Sequence, residues 1–144
     1  MKQEPSIREV IQVCQVYILM GQLDECRKFA SQKSTNQNLI RDLPVNELVL
    51  AYFAGEVNAD EYLMAAESSG ATTFRLLMVG MTELAKGNRR NALDRLHQVE
   101  RDGLFHAWEY VLALAIADRM ERDASWPGWL PSDAAESDDI PAGQ

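Results

Sequence analysis

The chain has 144 residues, 47% of them hydrophobic and 25% charged, the balance of a folded domain with room for a core. Half of its net charge of −8 comes from Asp133, Glu136, Asp138 and Asp139, which have no Lys or Arg among them. An acidic chain repels phosphate backbones, so nucleic acid is not an expected partner. No apolar run approaches the roughly 18 residues of a membrane span, and MKQEPSIREV has no apolar stretch that would make a secretory signal.

Strand signals are nearly absent, because no stretch alternates apolar and polar residues while favouring β-branched types. Ser6 with Glu9 three residues on makes a capping box, opening an apolar run through Met20 with Ile7, Val10, Ile11, Cys14 and Ile18 on one face. Gly21 ends it. A second helix is predicted over 22–33, with Leu23, Cys26, Phe29 and Ala30 inward, and SQKSTNQN follows as a loop. A third occupies part of 37–54. Pro44, lacking a backbone N–H, starts it afresh with Asp42 as N-cap of the restart, and Gly55 closes it. Asn58 with Glu61 caps a fourth to about Ser68, and Gly70 breaks the chain. Thr72 or Thr73 caps a fifth through Lys86, Gly87 stops it, and Asn88 caps a sixth to about Arg101. After a turn at Asp102-Gly103, a seventh helix runs from about Phe105 to Arg122. The segment Trp126-Pro127-Gly128-Trp129-Leu130-Pro131 cannot be helical, and 132–144 reads as a disordered acidic tail. The expected architecture is all-α: about seven helices in one domain over 1–131, arranged as antiparallel hairpins, with a tail over 132–144.

Two segments share a pattern. VCQVYILMGQLDECRKFASQ (13–32) and VGMTELAKGNRRNALDRLHQ (79–98) both carry a turn glycine, Gly21 or Gly87. Both place a small residue seven positions before it, Cys14 or Gly80, and another five positions after it, Cys26 or Ala92. Helices approach closely only where small side chains face each other, so a small residue on each side of a glycine turn suits a tight helical hairpin. This pattern resembles the tetratricopeptide repeat, whose small helix-A residue, turn glycine and helix-B alanine match Gly80, Gly87 and Ala92. The first hairpin matches at Cys14, Gly21 and Cys26. The aromatic expected three residues after the small helix-A position is Tyr17 in one segment but Glu83 in the other, and neither has the closing proline. The middle segment LVLAYFAGEVNADEYLMAA (48–66) has Leu48 at the small position and a longer turn. Residues 50–131 also resemble helical, tetratricopeptide-like tails that follow some bacterial serine/threonine protein kinases, although the chain has no G-x-G-x-x-G, His-Arg-Asp or Asp-Phe-Gly motif.

Few residues invite catalysis. His97 and His106, each with a glutamate three residues on (Glu100, Glu109), are read as surface pairs at helical spacing rather than as metal or acid–base groups. Cys14 and Cys26 are read as reduced, small buried residues at a close helix contact, with a redox pair as the sharper alternative. Lys86, Arg89, Arg90, Arg95, His97 and Arg101 make one hairpin locally basic, read as a solvated face paired with Asp94 and Glu100 rather than a site for an acidic segment. Trp126 and Trp129 are expected to cover the end of the helical stack as a C-terminal plug. No metal, cofactor or enzymatic activity is expected.

The tetratricopeptide resemblance implies a groove lined by the first helix of each hairpin. The positions that fall there are Ile11, Gln15 and Ile18, then Val45, Val49 and Tyr52, then Leu77, Met81 and Leu84. They suit an apolar peptide or amphipathic helix, and none is the Lys, Arg or Asn that would grip a carboxylate. The equal alternative is that in so short a chain the fourth and seventh helices close over this face, which is then simply core. The expected function is a non-catalytic protein–protein interaction module, a scaffold, adaptor or chaperone-like binder in the cytoplasm. The competing readings are a small-molecule sensor or small helical enzyme with an enclosed pocket, and a homo-oligomerisation module.

Overall fold

A computed structural model of the protein describes residues 5–35 and 44–129, with the backbone alone over 44–47. Among these residues there are seven α-helices and no strand: α1 (Ile7–Leu19), α2 (Leu23–Ser34), α3 (Pro44–Ala54), α4 (Ala59–Met64), α5 (Ser69–Ala85), α6 (Arg89–Asp102) and α7 (Trp108–Arg122). The chain divides into two compact units, 1–67 with α1 to α4 and 68–144 with α5 to α7. The helical expectations at Asp42 and over 37–43, and the tail over 132–144, lie outside the described residues.

Local chemistry sets most helix boundaries. At α1 the Ser6 N–H donates to Glu9 Oε2 at 2.6 Å while the Glu9 N–H donates back to Ser6 Oγ, so two donors of the first turn are satisfied reciprocally. Asn58 and Glu61 do the same for α4. One stop device recurs. Gly21, Gly55 and Gly87 have φ of 71°, 81° and 82°, a region that side chains with a Cβ rarely adopt. Each glycine N–H donates to a carbonyl three residues back (Ile18, Tyr52, Leu84). Each following N–H reaches five back (Tyr17, Ala51, Glu83). That paired pattern satisfies the last carbonyls of α1, α3 and α5 in the same way.

The boundaries differ from expectation in four places. α2 runs on to Ser34, so the loop does not begin at Ser31. α4 ends at Met64 rather than near Ser68. Gly70 does not break the chain: the Ser68 hydroxyl accepts from the Ala71 N–H at 3.1 Å and starts α5 ahead of it. Thr73 is inside that helix, its hydroxyl donating to Ser69 O and accepting the Leu104 N–H, both at 2.6 Å. α7 starts at Trp108, after a turn in which the Ala107 N–H donates to Leu104 O. Asn88 occupies the N-cap position of α6, but its side chain donates instead to Glu83 Oε2 at 2.9 Å, tying the turn to α5.

In the first unit α1 and α3 both pack on α2, and α3 also meets α1 and α4. Val10 and Leu50 are fully buried, with Ile7 and Phe29 against them. Tyr17 and Phe29 meet at 6.1 Å between ring centroids, and Tyr52 stacks parallel on Tyr62 at 4.4 Å. In the second unit α5 is the central helix, with α6 and α7 both packed on it and on each other. Leu76, Leu77, Met78 and Val79 have no exposed surface, and each such side chain contributes about 1.5–3 kcal/mol relative to leaving it in water. α6 approaches α5 at Gly80, where a Cβ would lie 2.7 Å from Leu96 Cγ and Cδ2 and 3.4 Å from the Ala92 carbonyl oxygen.

Candidate functional site

Of the positions read as either groove or core, most are buried. Ile18 is 1% exposed, Val49 3%, Tyr52 6%, Leu77 0%, Met81 4% and Leu84 4%, while Ile11 and Gln15 are half-buried. Val45 lies where only the backbone is described. The physical reason is plainest in α5, which is buried through Arg75–Leu84 without interruption. An apolar helix with no polar stripe buries every side and leaves no face for a peptide. Even Arg75 and Glu83 are 3% and 9% exposed.

Exposed apolar surface gathers elsewhere, on α1 in the first unit and around the start of α7 in the second. On α1, Val13, Val16 and Leu19, with Met20 just after the helix, are between 38% and 54% exposed and lie outside the buried stripe of Val10, Cys14 and Ile18. At the start of α7, Phe105 is 75% exposed, Trp108 60% and Val111 64%. Spaced three apart, the last two share one face of α7, with the exposed Ala115 in line and Phe105 just before the helix. The inner face carries Ala113, Ile116, Ala117 and Met120. α7 is therefore apolar on two opposite sides along its first half. Farther on the outer side turns charged, with Arg122 Nε on Asp118 at 2.9 Å and Arg119 on Asp123 at 2.9 Å. The sequence carried this signal, because an inward set and an outward set cannot both belong to one core-facing stripe.

The basic hairpin is largely committed to internal bonds. Lys86 Nζ lies 2.7 Å from Glu83 Oε1, and Arg101 lies 3.5 Å from Asp102. Arg89 donates to three backbone carbonyls, those of Met120, Asp123 (3.0 Å) and Trp126, so it caps α7 and holds the chain beyond it. Its guanidinium fork is the recurring answer to several acceptors at once. Trp126 is half-buried and joined to the buried Pro127 by a cis peptide, whereas Trp129 is 37% exposed.

His97 bridges α6 and α7. Nδ1 meets Glu100 Oε1 at 3.1 Å and Nε2 meets Glu121 Oε1 at 2.8 Å, so both ring nitrogens face carboxylates. The hydrogen bond to Glu100, then that to Glu121, raises its pKa above the ordinary 6.5. A raised pKa in the folded state favours folding fully below the unfolded value and loses that contribution as pH climbs through the folded one. Unfolding free energy should therefore fall as pH rises from about 6.5 through the neutral range, and His97→Gln should flatten that part of the profile. With 41% of the side chain exposed, solvent screening keeps the change below about 1 kcal/mol. Denaturant melts of both proteins at several pH values measure it; parallel profiles would contradict the bridge.

His106 contacts the Phe105 ring edge-on at 5.2 Å. Among the described residues no group of three or more His, Cys, Asp or Glu side chains is placed to hold a metal ion, and no helix is long and apolar enough to cross a membrane. No family model, no curated protein and no solved structure matches the chain.

Proposed function

We propose that the protein is a non-catalytic interaction module of tetratricopeptide-like helix pairs, α1–α2, α3–α4 and α5–α6, closed by α7, and that it binds an amphipathic helix of another protein on the outer face of α7. The repeat reading is supported by the identical glycine stops after α1, α3 and α5, which recur at intervals of 34 and 32 residues. The observation that carries the binding reading is the outward cluster of Phe105, Trp108 and Val111. A helix face turned to solvent is ordinarily polar, and here α7 and the turn before it present a tryptophan, a valine and a phenylalanine to water. Aromatic side chains of this kind anchor partners, because each buries much area at a small entropic cost. The acceptor is a helix, because a convex helical surface meets another helix by ridges and grooves. Its contacting face is apolar, because the arginines farther along α7 are already paired with aspartates.

Trp108→Ser is expected to reduce partner binding tenfold or more, a loss of about 1.4 kcal/mol for each factor of ten. Its melting temperature should stay close to that of the parent, since the side chain is mostly in solvent. Capture from the source cell on immobilised parent and variant, compared by mass spectrometry, is the direct test. A partner retained by the parent and lost by the variant supports the reading. An identical set on both would exclude this face, and concentration-dependent dimers abolished by Trp108→Ser would replace the partner with a second copy of the chain.

A further inference from the structure

We propose that Cys14 and Cys26 form a redox staple, in which a peroxide joins their two sulfurs and locks α1 to α2. The inference stands apart from the α7 surface. Both side chains have no exposed surface, and each sits at the small-residue contact between two helices that only the Gly21 turn separates. The helices that carry them pack on each other, and the two thiols are near enough that each perturbs the other's titration. Packing alone does not call for this. Alanine at both positions would let the helices approach as well, as glycine and alanine do at Gly80 and Ala92. Two neighbouring thiols carried on separate, directly packed helices are the arrangement from which a crosslink between those helices can form.

The pair is chemically unequal. The hydrogen bond from Cys14 lowers the pKa of Cys26, helped by the neighbouring Arg27 charge and opposed by burial, while the same bond and burial raise Cys14. Cys26 is thus the nucleophile and Cys14 the resolving thiol. The Cys26 thiolate attacks one oxygen of hydrogen peroxide, the O–O bond breaks, and the departing hydroxide takes up a proton as water. The Cys14 sulfur then attacks the sulfenic sulfur of Cys26, the S–O bond breaks, and the second water leaves with the Cys14 proton. Two thiols lose two electrons and two hydrogens, and one peroxide becomes two waters. Access comes through α1, which buries only Val10, Cys14 and Ile18 and leaves its outer side in solvent, so local opening admits a small oxidant.

The test uses the intact protein. After hydrogen peroxide and quenching, it is unfolded, treated with a maleimide-polyethylene glycol, and weighed by mass spectrometry. The expected product is a monomer lighter by two hydrogen atoms, without free thiols, returned to the dithiol by dithiothreitol. It should melt several degrees above the reduced form, because the crosslink restricts the unfolded chain. In the Cys14→Ala variant, oxidation should stop at a sulfenic acid on Cys26 that dimedone traps. Cys26→Ala should likewise form no internal bond and give less of the corresponding adduct, because without its partner only Cys26 keeps a favourable charge, that of Arg27. Thiols that stay free in the native protein, under peroxide that oxidises the urea-unfolded chain, would overturn the proposal. So would disulfide-linked dimers, or sulfinic acid formed in place of the internal bond.

Discussion

Arg89→Ala should lower the unfolding free energy by about 3 kcal/mol and the melting temperature by roughly ten degrees. Three carbonyls, of Met120, Asp123 and Trp126, share this one guanidinium. Hydrogen bonds to a charged group contribute about 1.5–3 kcal/mol each, but they act here as a unit and the site is only partly buried, so their sum is an upper bound. Removing the fork leaves the last carbonyls of α7 without their donor and frees the chain around Trp126. Tryptophan fluorescence of the folded variant should move to longer wavelength as that ring gains solvent. Arg89→Lys keeps the charge near the helix C-terminus but has no planar fork, so it should recover less than half of the loss. A variant as stable as the parent would mean that the clamp contributes nothing.

The second large effect is expected at Gly80. A single Cβ there would already stand 2.7 Å from two carbons of the fully buried Leu96, and a leucine adds three more carbons to the same space. Gly80→Leu should therefore cost about 3 kcal/mol or more, the upper part of the range for overpacked cores. Gly80→Ala is the graded control. It gains about 1 kcal/mol of helix propensity but must displace Leu96, so it should end mildly destabilised. Urea titrations give both values. A Gly80→Leu protein with the parent's midpoint would remove the close α5–α6 approach from the account.

How far the sequence could be read follows from where each signal resides. The helical character of the described elements was legible because caps and stops are local. Ser6 with Glu9, Asn58 with Glu61, and the three turn glycines each act within five residues. The start of α5 was misplaced because Ser68 and Thr72 are equally good caps on paper, and only the long-range bond from Leu104 to Thr73 shows which threonine is needed inside the helix. Arg89 was read as part of a charged face because its acceptors are backbone carbonyls more than thirty residues away, which no residue type reveals. The inner positions Tyr52, Leu77 and Met81 followed helical spacing correctly, yet spacing alone cannot tell a groove from a core. That distinction depends on what covers the face, and here each of these residues is covered. The outer pair Trp108 and Val111 was written in the same periodicity, on the opposite side of a helix whose inner face was already complete.

The most direct measurement is hydroxyl-radical footprinting of the intact protein, alone and with the partner it captures, read residue by residue by mass spectrometry. Alone, Phe105 and Trp108 should label readily, and Tyr52, Leu77 and Met81 should label slowly, in keeping with their exposure. With the partner bound, labelling of Phe105 and Trp108 should fall severalfold while the buried three stay unchanged. Undiminished labelling of Phe105 and Trp108 in the complex, or protection confined to other residues, would contradict the assignment of the outer face of α7 as the binding surface.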